Sequence, residues 1–171
     1  SEDDVYRYAI GRAWDPEPTE PWDTVRPTFS VTAINPSKAR FDINDPTLLK
    51  LVHYAKQEGC GSLLLRNLAA YSATDPDELS SVADPVGPRN EEVLSIDPLF
   101  AIRVAAWGNF PSKRVRERLK RSMSIVKMCT TLHVFGLNQT GEPKHPLYLK
   151  NALRVILWRN ALSSSPRSPY P

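Results

Sequence analysis

Four nearly continuous apolar runs of strand length recur along the 171-residue chain. Runs of this kind are typical of strands buried on both faces of a parallel sheet. They cover residues 29–34, 62–68, 102–107 and 131–136. A weaker alternating pattern over residues 5–10 fits either a further strand or irregular edge structure. The hydrophobic pattern therefore predicts four central strands.

Helical patterns separate these runs. Asp45-Pro46 and Asp75-Pro76 each combine an N-cap residue with proline at the first helical position, and Ser112 can cap a third helix. The second pattern is short and ends near residue 82. The first and third segments carry an apolar face at helical spacing, formed by Leu48, Leu51, Val52 and Ala55 and by Val115, Leu119, Met123 and Val126.

Strands that alternate with helices pair in parallel through right-handed crossovers, which place helices on both faces of the sheet. We therefore expect an α/β fold, a three-layer α/β/α sandwich with a mostly parallel four-stranded central sheet. A single domain over residues 1–160 accounts for the length. The serine- and proline-rich residues 161–171 predict a disordered tail.

Composition narrows the setting of the protein. Two cysteines, Cys60 and Cys129, are too few for a disulfide framework or an iron–sulfur cluster, which favours a reducing compartment. The sequence contains no basic-then-apolar leader and no apolar run near the roughly 20 residues of a membrane span. We therefore expect a soluble, cytoplasmic protein with no membrane partner. A net charge of +3 and a pI near 8.9 permit a nucleic-acid partner without requiring one.

Polar residues stand where the predicted strands end. Asn35 follows the first run and Asn67 ends the second, while Gly108 follows the third and His145 comes after the fourth. Ligands bind outside the carboxyl ends of parallel strands, so we expect these residues at one edge of the sheet. Amide and imidazole groups suit the edge of a planar polar ligand such as a base. Taken singly, Asn35 is more typical of a turn cap and His145 of an ordinary histidine.

Motifs for other chemistries are missing from the sequence. It contains no GxxxxGK[ST] or GxGxxG phosphate loop, no GxSxG nucleophile elbow and no HExxH metal site. Neither cysteine lies near an obvious base. We therefore expect no metal and no cofactor.

Four short segments resemble, in order, the motifs of the uracil-DNA glycosylase superfamily: Ile34-Asn35-Pro36-Ser37, LLLRNL at 63–68, VAAWG at 104–108 and HPLYL at 145–149. Residues 6–158 resemble more closely an uncharacterised family of bacterial and phage proteins. Its marks are an RY…RxW start and the motifs NPSxAD, DPT, NLFAYRATDP, DPVGPxN, AWG and GxPxHPLYL. Arg40 stands where that family has Asp, and Ser72 where it has Arg. If those positions take part in the family's reaction, it is altered or lost here.

The resemblance to the glycosylase superfamily implies a monofunctional DNA glycosylase, which flips uracil or a modified pyrimidine out of DNA and hydrolyses its N-glycosidic bond. It implies that Asn35 orients the attacking water, that His145 stabilises the departing base as a neutral imidazole donor, and that Asn67 reads the base. Because an amide cannot accept a proton, slow turnover is expected. No lysine in a motif position can form a Schiff base, so strand cleavage is not expected. A role in repair or in phage conflict would follow.

The remaining candidate contacts are also implied by the resemblance. Substrate contacts are expected from Pro36, Ser37, Phe41, Tyr71 and Gly108. The apolar wedge that fills the vacated base stack is expected at Leu147, Tyr148 and Leu149, and phosphate contacts at Lys113, Arg114 and Arg116. DNA is the expected partner of a monomer. The alternatives are a solvated basic face, a module that binds modified bases without chemistry, and an enzyme that acts on free nucleosides or nucleotides.

Overall fold

The computed structural model describes residues 5–15, 25–36, 45–128 and 131–158 of the chain. The expectations for Ser37, Arg40, Phe41 and Cys129, and for the tail at 161–171, lie outside the described residues.

The described residues form a six-stranded sheet in the order β1-β3-β2-β4-β5-β6. The strands are β1 (Ala9–Ala13), β2 (Thr28–Ala33), β3 (Ser62–Asn67), β4 (Ala101–Ala105), β5 (His133–Val134) and β6 (Ile156–Leu157). Pairing is parallel from β3 through β2 and β4 to β5, while β1 and β6 pair antiparallel at the two edges. The expected α/β class is confirmed, but this sheet has six strands rather than four.

The two edge strands explain the difference. β6 is two residues long and exposed, so it leaves no apolar pattern to find. β1 begins at Ala9, later than the alternating pattern over residues 5–10 suggested. Ala9 pairs with Arg66, which lies next to the last residue of β3. Before β1 the chain makes only an isolated bridge between Tyr6 and Tyr71.

Four α-helices and two 3₁₀ helices lie within the described ranges. They are α1 (Pro46–Gln57), α2 (Asn90–Ser95), α3 (Lys113–Arg118) and α4 (Lys120–Lys127), with 3₁₀ helices at Pro76–Ser80 and Pro146–Tyr148. The predicted cap of α1 is confirmed, since the Asp45 carboxylate accepts a hydrogen bond from the Leu48 N–H at 2.8 Å. The helix predicted after Ser112 is two helices that meet at Leu119, whose φ of −98° and ψ of 4° leave the helical range. At six residues, α2 is too short for a periodic pattern.

The apolar residues form two cores on opposite faces of the sheet. Neighbouring residues of β4 point to different cores, because side chains alternate along a strand. Val104 joins the core beneath α1 with Phe29 and Leu51, while Ala105 joins the core beneath α3 and α4 with Trp107 and Leu119. Helices therefore pack against both faces of the sheet. No helix in the described part of the chain is long and apolar enough to cross a membrane.

Candidate functional site

A cleft opens beyond the carboxyl ends of β2 and β3, whose last residues, Ala33 and Asn67, are paired in register. Its volume is about 70 Å³, room for about five water molecules or a small polar group. The described residues that line it are Arg7, Ala9, Ile10, Ala33, Asn35, Pro36, Asp45, Thr47, Leu65, Asn67 and His145. The cleft thus brings together Asn35, Pro36, Asn67 and His145, all of which the sequence predicted as site residues.

The Asn35 side chain presents an oxygen atom as its remaining hydrogen-bonding group. Its Nδ2 donates to the carbonyl oxygens of Pro36 at 3.0 Å and Ala73 at 2.8 Å. Carbonyl oxygens only accept, so the amide nitrogen must face them. The amide nitrogen of Asn35 therefore binds backbone carbonyl groups, as expected of a turn-capping residue. Its Oδ1 remains as an acceptor of fixed orientation. Such a group can orient a water molecule but cannot take its proton.

The Asn67 side chain is almost fully buried and has no hydrogen-bond partner among the described residues. Only 4% of the residue is exposed, it lines the cleft, and no described residue hydrogen-bonds its side chain. Its position is held from behind, where the fully buried Asn90 donates from Nδ2 to the carbonyl oxygens of Asn67 and Leu68, both at 3.0 Å. The amide lines the cleft, where a ligand with a complementary edge can hydrogen-bond it.

The His145 ring can donate one hydrogen bond, and the residue lines the cleft. Its Nδ1 accepts a hydrogen bond from the Leu147 N–H at 3.4 Å at the start of the second 3₁₀ helix. Burial lowers the pKa of His145, and the negative charge of Asp45 opposes this shift only in part. The imidazole is therefore neutral at pH 7, and with Nδ1 accepting, the proton lies on Nε2.

Gly108 lies behind His145 rather than on the cleft wall. Its φ of +74° is open to glycine, and a methyl group there would lie 3.2 Å from the His145 Cβ. The Gly108 N–H donates to the Pro143 carbonyl oxygen at 3.0 Å, which holds the segment just before His145. The residue therefore shapes the path of the chain that carries His145.

Two charged lining residues, Arg7 and Asp45, were not predicted as site residues. Burial lowers the pKa of Arg7, and the charge of Asp45 opposes this. A usable signal existed for Asp45: α1 connects the parallel strands β2 and β3, so it must begin at the carboxyl edge where Asn35 lies. Arg7 carried no comparable signal. Within the described ranges, no three His, Cys, Asp or Glu side chains are grouped to hold a metal ion.

The other predicted contacts that the structure describes do not line the cleft. Tyr71 packs edge-on against Tyr6, with 6.3 Å between ring centroids. Leu149 packs against the core beneath α1, and Leu147 is half-buried. Tyr148, at 90% exposed, is the member of the expected wedge that projects most into solvent.

The basic face of α3 and α4 is largely paired within the protein. Four of its cations contact a carboxylate or a carbonyl group: Arg116 with Glu142, Arg118 with the carbonyls of Leu79 and Ala83, Lys120 with Glu117, and Arg121 with Glu91. Lys113 and Arg114 are exposed, and neither has such a partner among the residues that the structure describes. Of the three predicted phosphate contacts, Lys113 and Arg114 therefore have side-chain charges without an ion-pair partner among the described residues, whereas Arg116 is paired with Glu142.

One family model matches residues 7–147; its description is "Protein of unknown function (DUF1643)". The chain belongs to this family. The match begins at Arg7 and spans every described residue that lines the cleft, so the site is part of what this member shares with the DUF1643 model. No curated protein and no solved structure matches the chain.

Proposed function

We propose that this DUF1643 protein is a monofunctional DNA glycosylase that hydrolyses the N-glycosidic bond of uracil or a modified pyrimidine. The observation that carries the proposal is that Asn35, Asn67 and His145, separated by up to 110 residues, line one cleft at the carboxyl edge of a parallel sheet. The parallel strands and the helices on both faces also support the proposed likeness to the uracil-DNA glycosylase fold.

Each of the three residues offers the atom that the reaction needs. Hydrolysis requires a positioned water at the sugar carbon and stabilisation of the departing base anion. The Oδ1 of Asn35 would accept a hydrogen bond from the water, and the Nε2–H of His145 would donate to the base. The unpartnered amide of Asn67 offers a donor and an acceptor side by side, which matches the edge of a pyrimidine.

Release of free bases from a panel of DNAs tests the proposal. Single- and double-stranded DNA would carry uracil, hydroxymethylated pyrimidines or glucosylated pyrimidines, and mass spectrometry would identify any free base. Alkali would then reveal nicks at abasic sites. We expect N35A and H145A to release base about 100-fold more slowly than wild type, because positioning and charge stabilisation are lost. The matched controls N151A and H53A change exposed residues outside the cleft and should keep wild-type activity.

The proposal is wrong if no DNA in the panel loses a base, or if N35A and H145A are as active as wild type. Salt-sensitive binding to one modified DNA without base release would instead indicate a binding module.

A second candidate is the same hydrolysis on a free nucleoside or nucleotide. It is favoured by the internal pairing of four of the six cations on the basic face, which leaves less free charge for a DNA backbone.

A further inference from the structure

We propose that Asp45 is a catalytic residue of the cleft, whose carboxylate takes a proton from the attacking water. This inference rests on the proposed glycosidic hydrolysis and changes one of its expectations. With Asn35 and His145 alone the site has no base, because an amide cannot accept a proton and the imidazole acts as a donor. A carboxylate at the same cleft would supply one.

The position of Asp45 is fixed by the fold. It is the N-cap of the twelve-residue helix α1, and Pro46 follows at the first helical position. The buried side chains of Leu48 and Leu51 anchor α1 against the sheet. Because α1 joins β2 to β3, its N-cap residue lies at the edge where those strands end, and Asp45 lines the cleft. A catalytic group on a packed helix is held more accurately than one on a loop.

The charges around the cleft suit the separation of charge in the reaction. Cleavage of the glycosidic bond develops positive charge on the sugar and negative charge on the base. Among the described lining residues, Asp45 is the only carboxylate, Arg7 the only permanent cation and His145 the only imidazole. The charge of Asp45 acts on both of the others, opposing the effect of burial on the pKa of each. A fixed anion therefore lies in the same cleft as two groups that favour an anionic base.

The water oxygen forms a bond to the sugar C1′ as the bond from C1′ to the base nitrogen breaks. The electron pair of that bond leaves with the base, which His145 stabilises by hydrogen bonding. One water proton passes to the Asp45 carboxylate, and the sugar keeps the remaining hydroxyl. The proton on Asp45 is then returned to the released base through solvent, so the products are a hydroxylated sugar and a neutral base.

Asp45 also has a structural role, and a set of three substitutions separates it from the chemical one. Asn and Ser cap helices about as well as Asp, whereas Ala does not. D45N and D45S therefore remove the carboxylate and keep the cap, while D45A removes both. We expect all three variants to lose about 100-fold or more in kcat, with KM little changed, and only D45A to show a clearly lower Tm.

Steady-state base release from DNA, which gives kcat and KM, and thermal unfolding of the same samples test this inference. If D45N and D45S keep wild-type kcat while wild type releases base, Asp45 is only a helix cap and the glycosylase proposal stands. If wild type releases no base from any DNA of the panel, the glycosylase proposal and this inference both fall.

Discussion

At the scale of single residues, Gly108 lies close to the side chain of His145. The φ of Gly108 is positive, which favours glycine, and a Cβ there would lie only 3.2 Å from the His145 Cβ, so one of the two would have to shift by a few tenths of an ångström. Gly141 is a natural comparison. It has a similar φ of +82°, but nothing lies within 4 Å of where a Cβ would be.

We expect Gly108→Ala to lower stability by about 1–2 kcal/mol, because a methyl group is strained at positive φ. We also expect it to slow base release at least 10-fold, since the new Cβ would displace His145. Gly141→Ala should have the same backbone cost and keep full activity. Urea denaturation and base release measured on both variants test this pair. Equal activity of the two variants would show that the close contact between position 108 and His145 does not affect activity.

At the scale of secondary-structure elements, a buried ion cluster ties β3 to the segment that follows α2. Arg66 of β3 donates to the Asp97 carboxylate at 2.5 Å, to Ser30 at 2.7 Å and to the carbonyl oxygens of Val93 and Ile96. The same carboxylate accepts from Arg103 of β4 at 2.7 Å. Because β3 ends at Asn67, this cluster also fixes the strand that delivers a site residue.

Stability should depend on pH through this cluster. Burial alone would raise the pKa of Asp97, but the charges and hydrogen bonds of Arg66 and Arg103 outweigh burial and lower it. A carboxyl group with a lowered pKa stabilises the fold above its unfolded pKa of about 3.9, and this contribution is lost as pH falls through the folded value. Asp97→Asn should therefore cost about 3 kcal/mol at pH 7, because Arg66 is left buried and unpaired.

Urea denaturation of D97N and wild type at about pH 7 and about pH 3 measures this effect, and the difference between them should shrink at the lower pH. Asp77→Asn, at an exposed position of the first 3₁₀ helix, is the control and should change stability little at either pH. An equal loss of stability by D97N at both pH values would contradict the role assigned to its charge.

At the scale of the whole molecule, the distribution of charge offers a test between two candidate substrates, DNA and a free nucleoside. Lys113 and Arg114 of α3 are the cations of the basic face that have no ion-pair partner within the described residues. Arg116 and Arg118 are poorer probes, because replacing them would also remove contacts to Glu142 and to the turn after the first 3₁₀ helix.

We expect the double variant K113Q/R114Q to weaken DNA binding and to reduce the slope of log K against log salt by about 2, one for each phosphate contact. Hydrolysis of a free nucleoside, if it occurs, should not change. K56Q, on α1 at the opposite face of the sheet, should leave DNA binding unchanged. Unaltered DNA affinity in K113Q/R114Q would remove α3 from the nucleic-acid interface and favour the free-nucleoside candidate.

The sequence by itself determined the features that depend on local chemistry. The runs that become β2, β3 and β4 are buried on both faces, so their apolar composition marks them. The cap at Asp45 depends on a hydrogen bond three residues away and is equally local. Because parallel strands end at one edge, the ends of the first two runs were enough to predict that Asn35 and Asn67 lie together.

Only the tertiary structure decided the features that depend on residues far apart in the chain. Arg7 reaches the cleft because its N–H bonds the Ala70 carbonyl oxygen, and Arg116 is engaged because Glu142 lies beside it. The short edge strand β6 forms by pairing with β5, and two residues are too few for a sequence pattern that would predict it. Such contacts form between residues that are far apart in the sequence, so no short segment of the chain is enough to predict them.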